Sequence, residues 1–287
     1  MLVSFWNGTA VRAGATTNAA CISTYFSHLF KKRTVLFENH ISKRNISHVL
    51  SGEFDYFNTH DIAAESQCTY GRYDTDYLYD CLEADLNVTR IPTTTREYMD
   101  GLLSYISQNE RNYVINEKFD YRFRRVYDKF IDYLERKFDV VFADLRRSDT
   151  ITTKHIIERS DLIFVNLPQD REMIGKFMIN YPDEYRERSI YIISRYKEGQ
   201  YGSEFFAMDH NVDYGRVISV PEFSSLYRLC SEGGLIDFLI EHKWDDSRSP
   251  FYGFIYSIKK LAREVDHKYR SSAADRADAE LYMDALI

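Results

Sequence analysis

The chain has 287 residues and 44% hydrophobic content, enough for a substantial buried core, which excludes extensive disorder. Its formal net charge of −7 argues against nonspecific nucleic-acid binding, which draws on Lys and Arg to neutralise phosphates. The four cysteines, Cys21, Cys68, Cys81 and Cys230, form no CxxC pair and read as reduced, buried thiols.

The opening Met-Leu-Val-Ser-Phe-Trp lacks a basic stretch before a long apolar run, so no secretory leader is expected. No segment reaches the ~18 uninterrupted apolar residues of a membrane span. The expectation is a cytoplasmic protein with at most an indirect membrane association.

In chain order, Leu2–Trp6 is short and apolar and stops at the turn signal Asn7-Gly8, as a buried parallel strand does. A loop through Gly14 leads into a helical run ending near Phe30. Small residues come first (Ala19, Ala20, Cys21) and allow close packing on a sheet; Ile22, Phe26 and Leu29 follow. Thr34–Phe37 is a second apolar strand. Glu38-Asn39-His40 sits at its carboxyl end, the ligand-facing edge of a doubly wound sheet. Residues 52–95 are polar and tyrosine-rich; within them Tyr77–Leu86 reads as a short helix and Val88–Pro92 as a strand. Arg96–Ile106 reads as helical.

Asp120–Phe138 is the clearest helix, because Phe123, Val126, Phe130 and Leu134 recur at helical spacing. It runs into Phe138–Asp144, an apolar strand ending in an aspartate. Lys154–Arg159 is helical, Asp161–Leu167 is a strand, and Met173–Met178 begins a helix. Ser189–Ser194 and Gly215–Val220 are the last strands, the second followed by Pro221. Leu235–Ile240 is helical. The final helix, Tyr252–Tyr269, carries Phe254, Ile255, Ile258, Leu261, Ala262 and Val265 on one face.

Strands alternating with helices predict an α/β fold: a three-layer, doubly wound, mostly parallel sheet with helices on both faces. No Pro/Gly/Ser-rich linker interrupts it. Residues 1–270 therefore read as a single P-loop NTPase-like domain, and 271–287 as an acidic C-terminal tail. The P-loop reading comes from the opening strand, loop, helix and strand. A P-loop ends Gly-Lys-Ser/Thr, whereas this loop ends Gly14-Ala15-Thr16.

The order of features resembles the MinD/ParA family of deviant-Walker P-loop ATPases over nearly the whole chain. Gly14-Ala15-Thr16-Thr17 lies where that family has Gly-Lys-Thr-Thr, and Phe138–Asp144 resembles its Walker B strand. Ser160–Leu167 resembles the strand that follows, and Val217–Phe223 with Ser231–Phe238 resembles its ending. Within the family, the chain is similar to TadZ/CpaE-like pilus-assembly proteins of Firmicutes.

The resemblance implies a nucleotide and Mg²⁺ site at Arg12, Gly14, Ala15, Thr16, Thr17, Glu38, His40, Asp144, Ser194 and Pro221, with Thr16 and Asp144 toward the metal. It also implies losses. The family's early and main lysines fall on Ala10 and Ala15, and its loop glycines on Val11-Arg12. Its water-positioning aspartate falls on His40, and a frequent base-pocket asparagine on Ser194. Arg12, the only cation of the loop, lies three residues before the main lysine position. Losing a phosphate-contacting lysine costs about a thousandfold or more in rate, so no residue is assigned a catalytic role.

Two readings stay open. One is a pseudo-ATPase without cofactor, serving as a non-catalytic scaffold or localisation adaptor for pilus or secretion machinery through a protein partner or homodimer. The other is an ATP-binding, slowly hydrolysing dimerisation switch, which Gly14, Thr16, Thr17 and Asp144 favour. His40 and His48 lack a third ligand at suitable spacing, so no dedicated metal centre is expected. The final helix, followed by an acidic tail, is expected to pack on the domain rather than to lie in a membrane.

Overall fold

The computed structural model describes residues 1–8, 13–39, 46–51, 81–84, 96–106, 116–145 and 151–284. The apolar runs form strands: β1 (Leu2–Asn7), β2 (Thr34–Asn39), β3 (Arg96–Tyr98), β4 (Leu103–Ile106), β5 (Val140–Leu145), β6 (Leu162–Leu167), β7 (Ser189–Tyr196) and β8 (Val217–Pro221). The described residues build an eight-stranded sheet in the order β3-β4-β2-β5-β1-β6-β7-β8. Every pairing is parallel except β3 with β4. The chain starts in the middle, builds one half, then returns to the other side of β1. That reversal places a crevice at the carboxyl ends of the strands.

The helices are α1 (Ala15–Phe30), α2 (Ile46–Ser51), α3 (Asn116–Lys137), α4 (Ile151–Arg159), α5 (Arg171–Asn180), α6 (Asp183–Arg186), α7 (Ser203–His210), α8 (Leu226–Glu232), α9 (Leu235–Glu241) and α10 (Tyr252–Asp284). Strand side chains alternate between two cores, as the period of the pleat requires. On one face Phe5, Leu36, Phe142, Phe164 and Ile192 pack with α1, α2, α9 and α10. On the other, Leu2, Phe37, Val141, Ile163 and Tyr191 pack with α3, α4, α5 and α7. Both faces are covered, which explains why these strands read as continuous apolar runs.

One expected element is corrected. Arg96–Ile106 is a hairpin, not a helix: Tyr98 pairs with Leu103, and Leu102 N–H donates to Met99 O at 3.2 Å. The central residues Asp100 and Gly101 have φ of 55° and 80°. An Asp-Gly pair meets that left-handed requirement, which a helix does not allow. The last strand starts later than expected, because Tyr214–Arg216 form a 3₁₀ turn before Val217. The final helix runs past Tyr269 to Asp284. The expected strand Val88–Pro92 and most of the expected helix Tyr77–Leu86 lie outside the described residues, although 81–83 are helical.

Candidate functional site

Strand alternation decides which polar side chains meet. Phe5, Leu36, Phe142, Phe164 and Ile192 all point toward α1. Two residues further along each strand stand Asn7, Glu38, Asp144, Asn166 and Ser194, on the same face and beyond the last apolar layer. The sheet thus ends in a polar row, beneath the start of α1. Glu38 and Asp144 are register partners on β2 and β5, and Asn7 and Asn166 are partners on β1 and β6. Glu38, Asp144, Asn166 and Ser194 are all buried.

Helix α1 starts behind Gly14, whose φ of 77° is left-handed. A Cβ there would stand 3.7 Å from the Cβ and Oγ of Ser194, so backbone conformation rather than space favours glycine. Gly14 offers no side-chain cap, and the first turn carries no acid. The leading amides of Ala15, Thr16 and Thr17 therefore meet no capping side chain at the positive end of the helix dipole, an arrangement that favours an anion. Ala15 is buried and adds no charge.

One turn into the helix, Asn18 closes a hydrogen-bonded cluster. Its Nδ2 donates to Asn166 Oδ1 at 2.7 Å and to Ser194 Oγ at 3.0 Å. Asn166 Nδ2 in turn donates to Phe164 O at 3.1 Å and Trp6 O at 3.4 Å. Ser194 is thereby engaged by α1. At the other end of the row, Glu38 Oε1 accepts from Ile46 N–H at 2.9 Å, and Oε2 accepts from the Tyr105 hydroxyl at 2.5 Å. Glu38 holds the start of α2 and the side chain of Tyr105.

The structure brings Gly14, Ala15, Thr16, Thr17, Glu38, Asp144 and Ser194 to this one edge. Pro221 lies at the end of β8, opposite Tyr196, across a register shift where Arg195 has φ of 55°. Arg12 and His40 lie outside the described residues. The uncapped helix start behind Gly14 is of the kind that accommodates a phosphate group. Ala15, at the head of α1, brings no cation to this helix start. Among the described residues no group of three or more His, Cys, Asp or Glu side chains has metal-binding geometry.

Sequence reasoning missed Asn18, Asn166, Asn7 and Tyr105. A signal for Asn166 was present: an asparagine interrupting Leu162-Ile163-Phe164-Val165 near the carboxyl end of a buried strand needs a partner.

No protein-family model and no curated protein sequence matches the chain. Its fold matches solved structures. A ParA family ATPase from Chlorobium tepidum aligns with a TM-score of 0.65 at 12% identity, over 91% of this chain and 96% of that one. A plasmid partition protein from Borrelia burgdorferi bound to AMPPNP aligns at 0.60 and 15%, over 93% and 98%. MinD in the MinC:MinD cell division complex of Aquifex aeolicus aligns at 0.60 and 15%, over 93% and 96%. The fold is therefore that of ParA/MinD-type P-loop ATPases. No described helix is long and apolar enough to cross a membrane.

Proposed function

We propose that this chain is a cytoplasmic pseudo-ATPase: a ParA/MinD-type fold that serves as a non-catalytic scaffold or localisation adaptor. Ala15 carries the reading. It stands at the head of α1 where the chemistry of phosphoryl transfer calls for a lysine. The closed state of the polar row supports it, with Ser194 held by Asn18 and Glu38 held by Tyr105 and Ile46. The Aquifex neighbour was solved with a protein partner, and a partner or a second copy is what an adaptor needs. Pilus or secretion machinery is the setting that the TadZ/CpaE-like resemblance suggests. The test is calorimetric titration with Mg-ATP beside a phosphate-release assay. Neither saturable heat nor phosphate above the buffer level is expected, and micromolar binding would overturn this reading.

A second reading is an ATP-dependent dimerisation switch that hydrolyses slowly. The uncapped start of α1 behind left-handed Gly14 favours it, and the Borrelia neighbour carries AMPPNP. Here Mg-ATP would bind and shift the protein from monomer to dimer in light scattering. Titration separates the two readings, because only the switch requires binding.

A further inference from the structure

Away from the polar row, the end of α1, the turn after α9 and the outer face of α10 bring cations together around an exposed tryptophan. Lys243 Nζ lies 3.0 Å from His28 Nε2, which joins the turn to α1. The next residue, Trp244, is 70% exposed, and Lys259 Nζ sits 4.8 Å from its ring centroid. Lys32 lies 4.8 Å from the ring centroid of Tyr269, at the far end of the same α1–α10 seam. Tyr256 is 50% exposed and lies a turn before Lys259 and Lys260, with Arg263 a turn after them.

Three carboxylates around this face are engaged, while Glu241 and Glu264 have no ion pair among the described residues. Asp245 is held by His242 and Ser249, Asp246 by Arg248, and Asp266 by Arg270. Glu264, at i+4 from Lys260, flanks the row. Among the described residues Lys31, Lys32, Lys243, Lys259 and Arg263 have no carboxylate partner. Their charges crowd one another. Burial and then Arg263 lower the Lys259 pKa; burial, then Lys243 and Lys31, lower that of His28.

We infer that this face binds a short Glu/Asp-rich segment of a partner protein, with Trp244 and Tyr256 as its apolar anchors. Exposed Trp, Tyr and Arg are the side chains that carry binding energy in protein interfaces. Screening separates this partner from the other polyanions. The whole molecule carries −7, and a duplex or an anionic bilayer extends beyond the patch and meets that repulsion. A short segment lying on the patch is within the ~8 Å over which its own cations act. The inference is independent of the nucleotide reading, because none of these residues belongs to the polar row.

The test uses a fluorescein-labelled Glu-rich peptide with a central Phe, followed by anisotropy. Saturable binding is expected, weakening with salt and changing Trp244 emission. Charge reversal at Lys259→Glu with Arg263→Glu is expected to lower affinity by about tenfold or more. Lys176→Glu, on α5 at the other face of the sheet, is expected to leave it unchanged. Circular dichroism confirms that both variants are folded. The proposal is overturned if the peptide does not saturate, if the double reversal leaves affinity intact, or if duplex DNA or phosphatidylserine vesicles bind as tightly as the peptide.

Discussion

Asn18 shows how much one amide settles at the edge of this sheet. Both of its N–H bonds point into the protein, toward Asn166 and Ser194, and Asn166 has already turned its own donors to backbone carbonyls. Removing the amide leaves Asn166 Oδ1 buried without a donor. Asn18→Ala should therefore cost about 1–3 kcal/mol in urea denaturation. Asn18→Asp should cost more than Asn18→Ala, because an acceptor-only carboxylate would face the oxygen of Asn166, which cannot flip without losing two bonds. The reverse order would show that Asn166 reorients. The same residues explain what was legible at the site. Gly14, Thr16, Glu38, Asp144 and Ser194 could be placed from motif order and from strand ends. The bonds that join them across Asn18 and Tyr105 run between residues distant in sequence, so no local pattern announces them.

At the level of elements, α3 is the part whose periodicity spoke most clearly. Val126, Phe130 and Leu134 are buried against the sheet, and the Phe130 ring meets Phe37 at 5.1 Å, edge to face. Phe130→Ala should cost about 3–5 kcal/mol in the same denaturation assay. The tie from α4 to α3 is weaker in energy. Arg159 reaches Asp132, Asp128 and Glu135, but it is about a third exposed, and water screens the pairs. Arg159→Ala should lower stability by no more than about 1 kcal/mol. The central strands were readable because both of their faces are buried, which makes each a plain apolar run. The β3–β4 hairpin was not: its strands are short, and Leu102, Leu103 and Ile106 fall as readily on a helical face as on a pleat. The turn chemistry of Asp100-Gly101 was the better guide.

For the molecule as a whole, acid is the expected weak point. Burial holds both His28 and His210 below the ordinary histidine value of 6.5. Well above that value both are neutral in the folded and unfolded chain, so neither affects stability. As pH falls through it, the unfolded chain takes up protons that the folded protein resists, so stability declines until the depressed folded values are passed. The thermal midpoint should drop over that interval, and His28→Gln should flatten the slope while keeping an acceptor for Lys243. An unchanged slope would remove His28 from the account.

The place of β1 in the sheet also sets a schedule for the protein's birth. Leu2–Asn7 is synthesised well before its two neighbours, Val141–Asp144 on one side and Leu162–Asn166 on the other. Until β5 has left the ribosome, the apolar strand Leu-Val-Ser-Phe-Trp has two open edges and no partner, and until β6 has followed it keeps one edge open. Such a chain cannot fold vector-like from its N-terminus, and it depends on being shielded while it waits. Nascent chains arrested before Leu162 should accordingly stay protease-sensitive through β1 and bind chaperones, and those released after β8 should not.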